Sequence, residues 1–127
     1  MFSNNINEVE EREITTYSYK GKDMHVEGTT IKWLSQAGDA SNPEYGLRLF
    51  TIKPGGYIPE HQHQYVQTEI MLTGKLLFTG YQDGQQVERE IGPGDYCYVP
   101  PMEPHGMKNV GNEPATFFCC IGIVTEK

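Results

Sequence analysis

The stretch that decides the fold is "GGYIPEHQHQYVQTEIMLTG", residues 55–74, in which two histidines stand one residue apart. In an extended strand, residues i and i+2 project from the same face, so His61 and His63 point into the same space. A third histidine, His105, begins another candidate strand further along the chain. Three imidazoles that converge inside a β-structure would bind Zn, Cu, Fe, Ni or Mn and leave positions open for water or substrate. The alternative is that the three histidines are unrelated surface or hydrogen-bonded residues.

Length and charge limit the classes of function. The chain has 127 residues and a mass of 14.4 kDa, which predicts one domain with a modest core. A formal net charge of −7 argues against nucleic acid or an anionic membrane as a partner. No stretch approaches the roughly 20 apolar residues of a membrane span, and the N-terminus lacks the basic-then-apolar order of a signal peptide. We therefore expect a cytoplasmic protein whose partner is a small molecule.

The cysteines favour a reduced environment. Cys119 and Cys120 are adjacent inside the apolar run "FFCCIGIV", and Cys97 stands alone in "GDYCYVP". An odd count without a secretory signal is typical of cytosolic thiols. We expect Cys119 and Cys120 to be strand residues without chemistry, and nothing near Cys97 in the sequence would lower the pKa of its thiol.

The organisation of the chain predicts an all-β fold in a single domain. Residues 1–13 carry glutamates and few apolar residues, so we expect a flexible acidic tail before a domain at 14–127. No segment shows a helical period over three turns. Short β-rich runs separated by turn signals, among them "DASNPE", "KPGG" and Asp83-Gly84, indicate a sandwich or barrel. The predicted strands are "TTYSY", "MHVEG", "TIKWLSQ", "YGLRLFTIK", "TEIMLTGKLLFTG", "QVERE", "DYCYVP", "HGMKNV" and "ATFFCCIGIV". We expect Trp33, Phe50, Tyr96, Tyr98 and Met107 to line its interior.

Residues 46–124 resemble the cupin superfamily. The first cupin motif reads G-x5-H-x-H-x3-4-E-x6-G, and Gly55, His61, His63 and Gly74 stand at its spacings. The second motif is matched by "GPGDYCYVPPMEPHGMKN", residues 92–109, where Met102 replaces the usual glycine. The resemblance implies a double-stranded β-helix, or jelly-roll barrel. Within the superfamily, the sequence looks most like small single-domain cupins that bind manganese or a similar divalent transition metal through an all-histidine site. This resemblance implies His61, His63 and His105 as ligands.

The chain departs from the family at the fourth ligand. Counting back from Gly74 places Gln67 where the family has glutamate, and a true glutamate, Glu69, follows two residues later. Gln67 and Glu69 lie on the same face of a regular strand, so both can face the interior. We expect Gln67 to be the fourth ligand, with Glu69 deeper as a general base or hydrogen-bond acceptor. A bulged strand would instead make Glu69 the ligand, and in a third arrangement Gln67 only hydrogen-bonds across the cavity.

An amide ligand has chemical consequences. It is neutral, so it leaves the full charge of the ion to polarise a bound oxygen, which favours an anionic, dicarbonyl or enol-type substrate. Three functions stay open, since the fold itself does not decide among them. They are a metal-dependent enzyme (a dioxygenase, or a non-redox isomerase, cyclase or lyase), a non-catalytic sensor or binding module, and a cupin that has lost its metal. Small cupins commonly dimerise, and an isolated barrel exposes sheet edges, so we also expect a homodimer.

Overall fold

A computed structural model describes residues 3–35 and 45–122 of the chain. These residues form one short 3-10 helix and nine strands: Ile6–Glu8, then β1 Arg12–Tyr19, β2 Lys22–Ser35, β3 Tyr45–His61, β4 Gln67–Thr73, β5 Leu76–Gln82, β6 Gln85–Ile91, β7 Tyr96–Val99, β8 His105–Lys108 and β9 Ala115–Gly122. The all-β prediction is confirmed. No helix in these ranges is long and apolar enough to cross a membrane.

The strands form one antiparallel sheet that curls into a nearly closed barrel. Its main path runs β6-β5-β8-β3-β9-β4-β7, and β2 and then β1 are added beside β3. Strand β3 is central because it pairs with β2, β9 and β8 along its length. It continues through "KPGG", which we had predicted to be a turn, because Gly55 takes a φ of +79° and bends the strand without ending it. The bend carries the end of β3 across to β8.

Glycine decides two other boundaries. Asp83 and Gly84 have φ values of 52° and 78° and connect Gln82 to its partner Gln85, so the predicted tight hairpin turn is confirmed. The run "TEIMLTGKLLFTG", predicted as one strand, is divided into β4 and β5 at Gly74. Gly74 has a φ of +75°, and a Cβ there would lie 2.6 Å from the carbonyl oxygen of Pro114. Only glycine fits this crossing without displacing backbone.

The barrel interior holds the apolar core. Phe50 and Phe117 stack with ring centroids 5.1 Å apart, and Met107 is buried beside other core residues. The prediction that Tyr96 and Tyr98 line the interior is wrong, since their side chains are 70% and 58% exposed. Strand β7 alternates, and it is Cys97 and Val99 that turn inward.

The outward positions of β7, β4 and β9, together with those of β3 from Tyr45 to Thr51, carry no charge. They alternate with the buried positions and are all apolar or neutral, although charged residues make up 21% of the chain; on β3 the uncharged stretch ends at the exposed Lys53. We call this surface the outer face: Leu47, Leu49, Thr51, Thr68, Ile70, Leu72, Tyr96, Tyr98, Thr116, Phe118 and Cys120. Ile70 and Leu72 are 41% and 38% exposed at its centre.

The N-terminal segment packs beside β2. Strand β1 begins at Arg12 and pairs with β2 of the same chain, and the Lys32 ammonium donates to the Ile6 carbonyl at 3.0 Å. Flexibility of residues 1–13 stays a prediction. The predicted turn "DASNPE" at 39–44, and the ends of two predicted strands at 36 and 123–124, lie outside the described residues.

Candidate metal centre

Strand pairing brings the three histidines together. His61 ends β3 and His105 begins β8, and the two are direct partners in the sheet. His63 follows β3 by two residues, and its ring centroid lies 5.7 Å from that of His61 and 4.9 Å from that of His105. One ring nitrogen from each histidine lies within 4.8 Å of the other two. The three imidazoles are therefore close enough to share one ion.

Backbone carbonyls orient all three rings in the same way. The Nδ1 atoms of His61, His63 and His105 each lie 2.9 Å from a carbonyl oxygen, those of Pro59, Tyr65 and Glu103 respectively. A carbonyl accepts, so each Nδ1 carries the proton, and each Nε2 is left with a free lone pair. The Nε2 atom of His105 is buried and has no hydrogen-bond partner. Such an atom fits a cation, because a buried acceptor is otherwise costly to leave unpaired.

Burial keeps these rings neutral. It lowers the pKa of His61 to about 4 and that of His105 to about 3, and it lowers the pKa of His63 as well. The proximity of the rings adds to the effect, since a charge on one disfavours a charge on the next. At neutral pH the lone pairs are therefore available without prior loss of a proton.

Gln67 adds a fourth donor atom, an oxygen, beside the three histidine nitrogens. It is buried at the start of β4, and its Oε1 lies 2.9 Å from the Nε2 of His63. With the His63 proton on Nδ1, two lone pairs face each other at this distance. Adjacent ligands on a small divalent ion, at bond lengths of about 2.1 Å and right angles, are about 3 Å apart. The donor set of three imidazoles and one amide oxygen thus fits such an ion.

Glu69 lies behind Gln67. Its carboxyl is fully buried, and its Oε1 accepts from the Nε2 of Gln67 at 3.0 Å, while its Oε2 has no partner. Burial raises the pKa of Glu69 to about 8, against the opposing effects of the Gln67 hydrogen bond and the Arg48 charge. The register of β4 is regular from Gln67 to Ile70 against both neighbours. The roles of Gln67 as ligand and Glu69 as base stay predictions.

An arginine that the sequence analysis missed faces the same space. Arg48 on β3 is 5% exposed, and its Nη2 donates to the Sγ of Cys119 at 2.9 Å. Arg48, Cys119, Glu69 and Cys97 are successive partners across β3, β9, β4 and β7, so they form one polar row inside the barrel. In "YGLRLFTIK" apolar residues stand on both faces, so the alternation could not show that Arg48 turns inward.

The thiols of this row are neutral. Burial raises the pKa of Cys119 to about 12 and that of Cys97 to about 11. Cys97, Cys119 and Cys120 are all free. Cys119 nonetheless takes part in the site as an acceptor for Arg48, whereas the fourth histidine, His25, is exposed beside Glu27 and lies apart from it.

A cavity of about 130 Å³ joins Arg48 to His61, His63 and Gln67, whereas His105 is not among its lining residues. Tyr17 stacks on His61 with centroids 4.9 Å apart, and Tyr65 stacks on His63 at 4.0 Å. Burial raises the pKa of Tyr17 to about 12 and also that of Tyr65, so both phenols keep their protons. The cavity is lined by Tyr17, Ser18, Arg48, Phe50, Ile58, His61, Gln62, His63, Tyr65, Gln67, Met107, Phe117 and Cys119.

Comparison with known proteins identifies the family. The model of the cupin domain matches residues 48–121. The chain belongs to the cupin family. This cupin is 39% identical over 96 residues to an uncharacterized protein, MJ1618, of Methanocaldococcus jannaschii, a match that covers 74% of this chain and 73% of that one.

Solved structures show the same fold. The polyketide cyclase RemF from Streptomyces resistomycificus is 22% identical with a TM-score of 0.77, covering 96% of this cupin and 79% of that chain. A predicted oxalate decarboxylase from Thermotoga maritima is 20% identical with a TM-score of 0.72, covering 97% of this cupin and 100% of that chain. A cupin-2 domain protein from Rhodospirillum rubrum is 17% identical with a TM-score of 0.72, covering 99% and 77%. The predicted jelly-roll fold is confirmed, and these likenesses support the fold alone.

Proposed function

We propose that this cupin is a metal-dependent enzyme that acts on a small organic anion and that its reaction is an oxidation by O₂ of the dioxygenase type. The observation that carries the proposal is the grouping of one ring nitrogen from each of three histidines within 4.8 Å of one another, with the Gln67 Oε1 2.9 Å from the Nε2 of His63, at the cavity that His61, His63 and Gln67 line. His61, His63, His105 and Gln67 would hold a divalent transition metal, which is Mn, Fe, Zn, Ni or Cu by its ligand types. When bound, such an ion supplies Lewis acidity and, where it is redox-active, oxygen chemistry.

The neutral donors favour an anionic substrate. No ligand of this set carries a negative charge, so none of the charge of the ion is cancelled by the protein. The tyrosines stacked on His61 and His63 cover one face of each ring. Apolar side chains, among them Phe50 and Phe117, also line the cavity and would hold the carbon skeleton.

The position of Glu69 favours oxygenation over proton abstraction. Isomerases and lyases that remove a proton from carbon need a base within hydrogen-bond reach of the substrate. Among the described residues no carboxylate lines the cavity, because Gln67 stands between it and Glu69. A dioxygenase adds both atoms of O₂ to its substrate and consumes no external reductant. The non-redox isomerase, cyclase or lyase is the second candidate, with Glu69 acting as its proton acceptor through movement of Gln67.

Metal content and oxygen consumption test the proposal. We expect the purified protein to contain one redox-active divalent ion per chain and to take up O₂ with a 1,2-dicarbonyl, enol or hydroxy-acid substrate. Zinc with substrate turnover but without O₂ uptake would select the isomerase, cyclase or lyase. Metal with substrate binding but no turnover would select the non-catalytic sensor. A chain that binds none of these ions would contradict the metal-dependent function.

A homodimer is proposed through the outer face. Each chain has a formal charge of −7, so contact between two copies is least unfavourable through a surface that adds no close like-charge pairs, and the outer face is such a surface. Ile70→Glu places a charge at its centre, and we expect this variant to be a monomer by light scattering at micromolar concentration while the wild type is a dimer. Thr51→Glu, near the end of the face, is the matched control. A monomeric wild type would contradict the proposal.

We also place the enzyme in the cytoplasm. Its three cysteines are free, as the reducing cytosol maintains them, and Cys97 is separated from Cys119 by the intervening strand β4. Fractionation of cells that express the protein at native level would show it with cytosolic markers. Its recovery in an oxidising compartment would overturn this assignment.

A further inference from the structure

Arg48 is a buried cation without an anionic partner among the described residues. Arg48 is only 5% exposed. The ion pairs in residues 3–35 and 45–122 join Arg12 to Glu10, His25 to Glu27 and Lys75 to Glu90, and none involves Arg48. A charge taken out of water is costly unless it is paired and hydrogen-bonded. Glu69, the described carboxyl in the same polar row, makes no ion pair with Arg48, so among the described residues the position is open to an anion from outside.

The contacts of Arg48 satisfy only part of its guanidinium. Its Nη2 donates to the Sγ of Cys119, and a neutral thiol is a weak acceptor. The rings of Trp33 and Phe50 lie 5.5 and 4.9 Å from the guanidinium carbon and support the charge through cation–π contacts. Its Nε is buried and has no hydrogen-bond partner. These contacts hold the planar group in place and leave N–H donors free.

Arg48 lines the same cavity as His61 and His63, and Tyr17 and Tyr65 line it as well. The guanidinium can only donate and the phenol hydroxyls can donate too, so these groups suit an anionic ligand. A carboxylate matches the guanidinium best, because its two oxygens accept two parallel N–H bonds in one plane.

We infer that Arg48 is the carboxylate receptor of the substrate, and that the substrate is a short organic acid whose keto, enol or hydroxyl oxygen lies beside the carboxylate and faces His61 and His63. The inference rests on the proposed function and assigns the substrate class of the same site. An apolar cavity of about 150 Å³ holds one benzene ring, so a cavity of about 130 Å³ encloses about six non-hydrogen atoms. Two- and three-carbon keto, hydroxy and dicarboxylic acids have this size.

Binding of defined acids tests the assignment without turnover. Calorimetry with the Mn²⁺-loaded protein would measure oxalate and pyruvate against pyruvamide, which keeps the keto oxygen but lacks the carboxylate. We expect an acid to bind and pyruvamide to bind at least about 30-fold more weakly than pyruvate, the lower range for loss of one partner of a buried charge pair. Equal affinity for pyruvate and pyruvamide, or failure of both acids to bind at millimolar concentration, would overturn the assignment.

Two arginine variants locate the receptor. Arg48→Met keeps an unbranched side chain and removes the charge, and we expect it to bind the acids at least about 30-fold more weakly with Mn²⁺ content unchanged. Arg12→Met, which removes the same charge from an exposed side chain beside Glu10, is the matched control and should bind as the wild type does. Acid binding by Arg48→Met at wild-type affinity would overturn the assignment. Should Arg48→Met fail to fold by circular dichroism, Arg48→Lys and the comparison of pyruvate with pyruvamide decide instead.

Failure of this inference can be told apart from failure of the proposed function. A wild-type protein that holds no metal contradicts the metal-dependent enzyme, whereas a metal-loaded protein indifferent to the carboxylate contradicts only the role of Arg48. Metal-free protein should still prefer pyruvate over pyruvamide, because the guanidinium is present in both forms, and that preference should vanish in Arg48→Met.

Discussion

Two substitutions on β4, Gln67→Glu and Glu69→Gln, decide which of these two residues is the metal ligand. Gln67 Oε1 lies 2.9 Å from His63, and Glu69 Oε1 lies 3.0 Å from Gln67 Nε2. In Gln67→Glu the new carboxylate takes the place beside His63. The pKa of Glu69, raised by burial to about 8, leaves that group protonated at pH 7, so it can donate to the new carboxylate in place of the lost amide bond.

The magnitude follows from two opposing effects. A unit charge pair about 4 Å apart gains about 4 kcal/mol at an effective dielectric constant of 20, and the ion carries two charges. Removing the carboxylate from water costs several kcal/mol. A net gain of about 1.5–3 kcal/mol corresponds to about 10- to 100-fold tighter binding of the metal. The same negative charge lowers the Lewis acidity of the ion, so turnover should fall.

Glu69→Gln makes the opposite exchange, from carboxylate to amide, and is the matched control for Gln67→Glu. Its amide oxygen can still accept from Gln67 Nε2, so we expect the dissociation constant for Mn²⁺ to stay within about threefold of the wild type. Loss of a positioned proton acceptor would lower turnover by about 100-fold if Glu69 is the base. Competition with a fluorescent chelator at pH 7 measures the dissociation constant for Mn²⁺ of the wild type, of Gln67→Glu and of Glu69→Gln. Weakened binding by Glu69→Gln, together with unchanged binding by Gln67→Glu, would refute Gln67 as the ligand.

Three further outcomes are expected. His61→Ala and His105→Ala should each purify without stoichiometric metal, since two imidazoles remain, while His25→Ala, on the exposed surface, should keep it, as elemental analysis would show. Gly74→Ala should destabilise the fold by about 2 kcal/mol more than Gly84→Ala in urea unfolding, because both have positive φ but a Cβ has backbone within 2.7 Å only at Gly74. Metal-free Glu69→Gln protein should melt at a lower temperature at pH 5 than at pH 7; the substitution removes Glu69, whose raised pKa acts in the opposite direction over this range. Its histidine pKa values of about 4 and 3 lie below the unfolded 6.5, so the unfolded chain takes up protons first and stability falls as the pH drops through 6.5.

Each of these outcomes can contradict the reasoning. Metal retained at the wild-type ratio by both histidine variants would place the ion elsewhere. Equal unfolding free energies for the two glycine variants would mean that the crossing beside Pro114 yields to a methyl group. A melting temperature of Glu69→Gln that is unchanged between pH 5 and pH 7 would mean that the histidines are not held neutral by burial.

Local sequence was sufficient to predict that His61 and His63 lie together. Their i, i+2 spacing predicted imidazoles that point the same way, and the rings do lie close, although His63 is two residues beyond the end of β3. The hairpin at Asp83-Gly84 was predictable for the same kind of reason, since two positive φ values suit few other residues. Family resemblance supplied His105, which spacing alone could only suggest.

Strand alternation was ambiguous wherever both faces were apolar. Leu47 and Leu49 face outward beside Arg48, so the pattern of "YGLRLFTIK" does not reveal which face is buried. The same ambiguity in "DYCYVP" led to Tyr96 and Tyr98 being predicted inside the barrel, although Cys97 and Val99 occupy that face. Burial of one face is a property of the sheet and of the strands packed across from it.

The sequence by itself determined that the chain is a β-barrel with three histidines available as ligands, because strand periodicity, turn residues and motif spacing are local properties. Only the tertiary structure decided which other side chains, Arg48 and Glu69 among them, lie beside these histidines. The polar row that joins Arg48 to Glu69 spans three strands that are distant in sequence, and it exists because β9 pairs between β3 and β4. A charge so placed is set by long-range register, and no short segment of the chain contains that information.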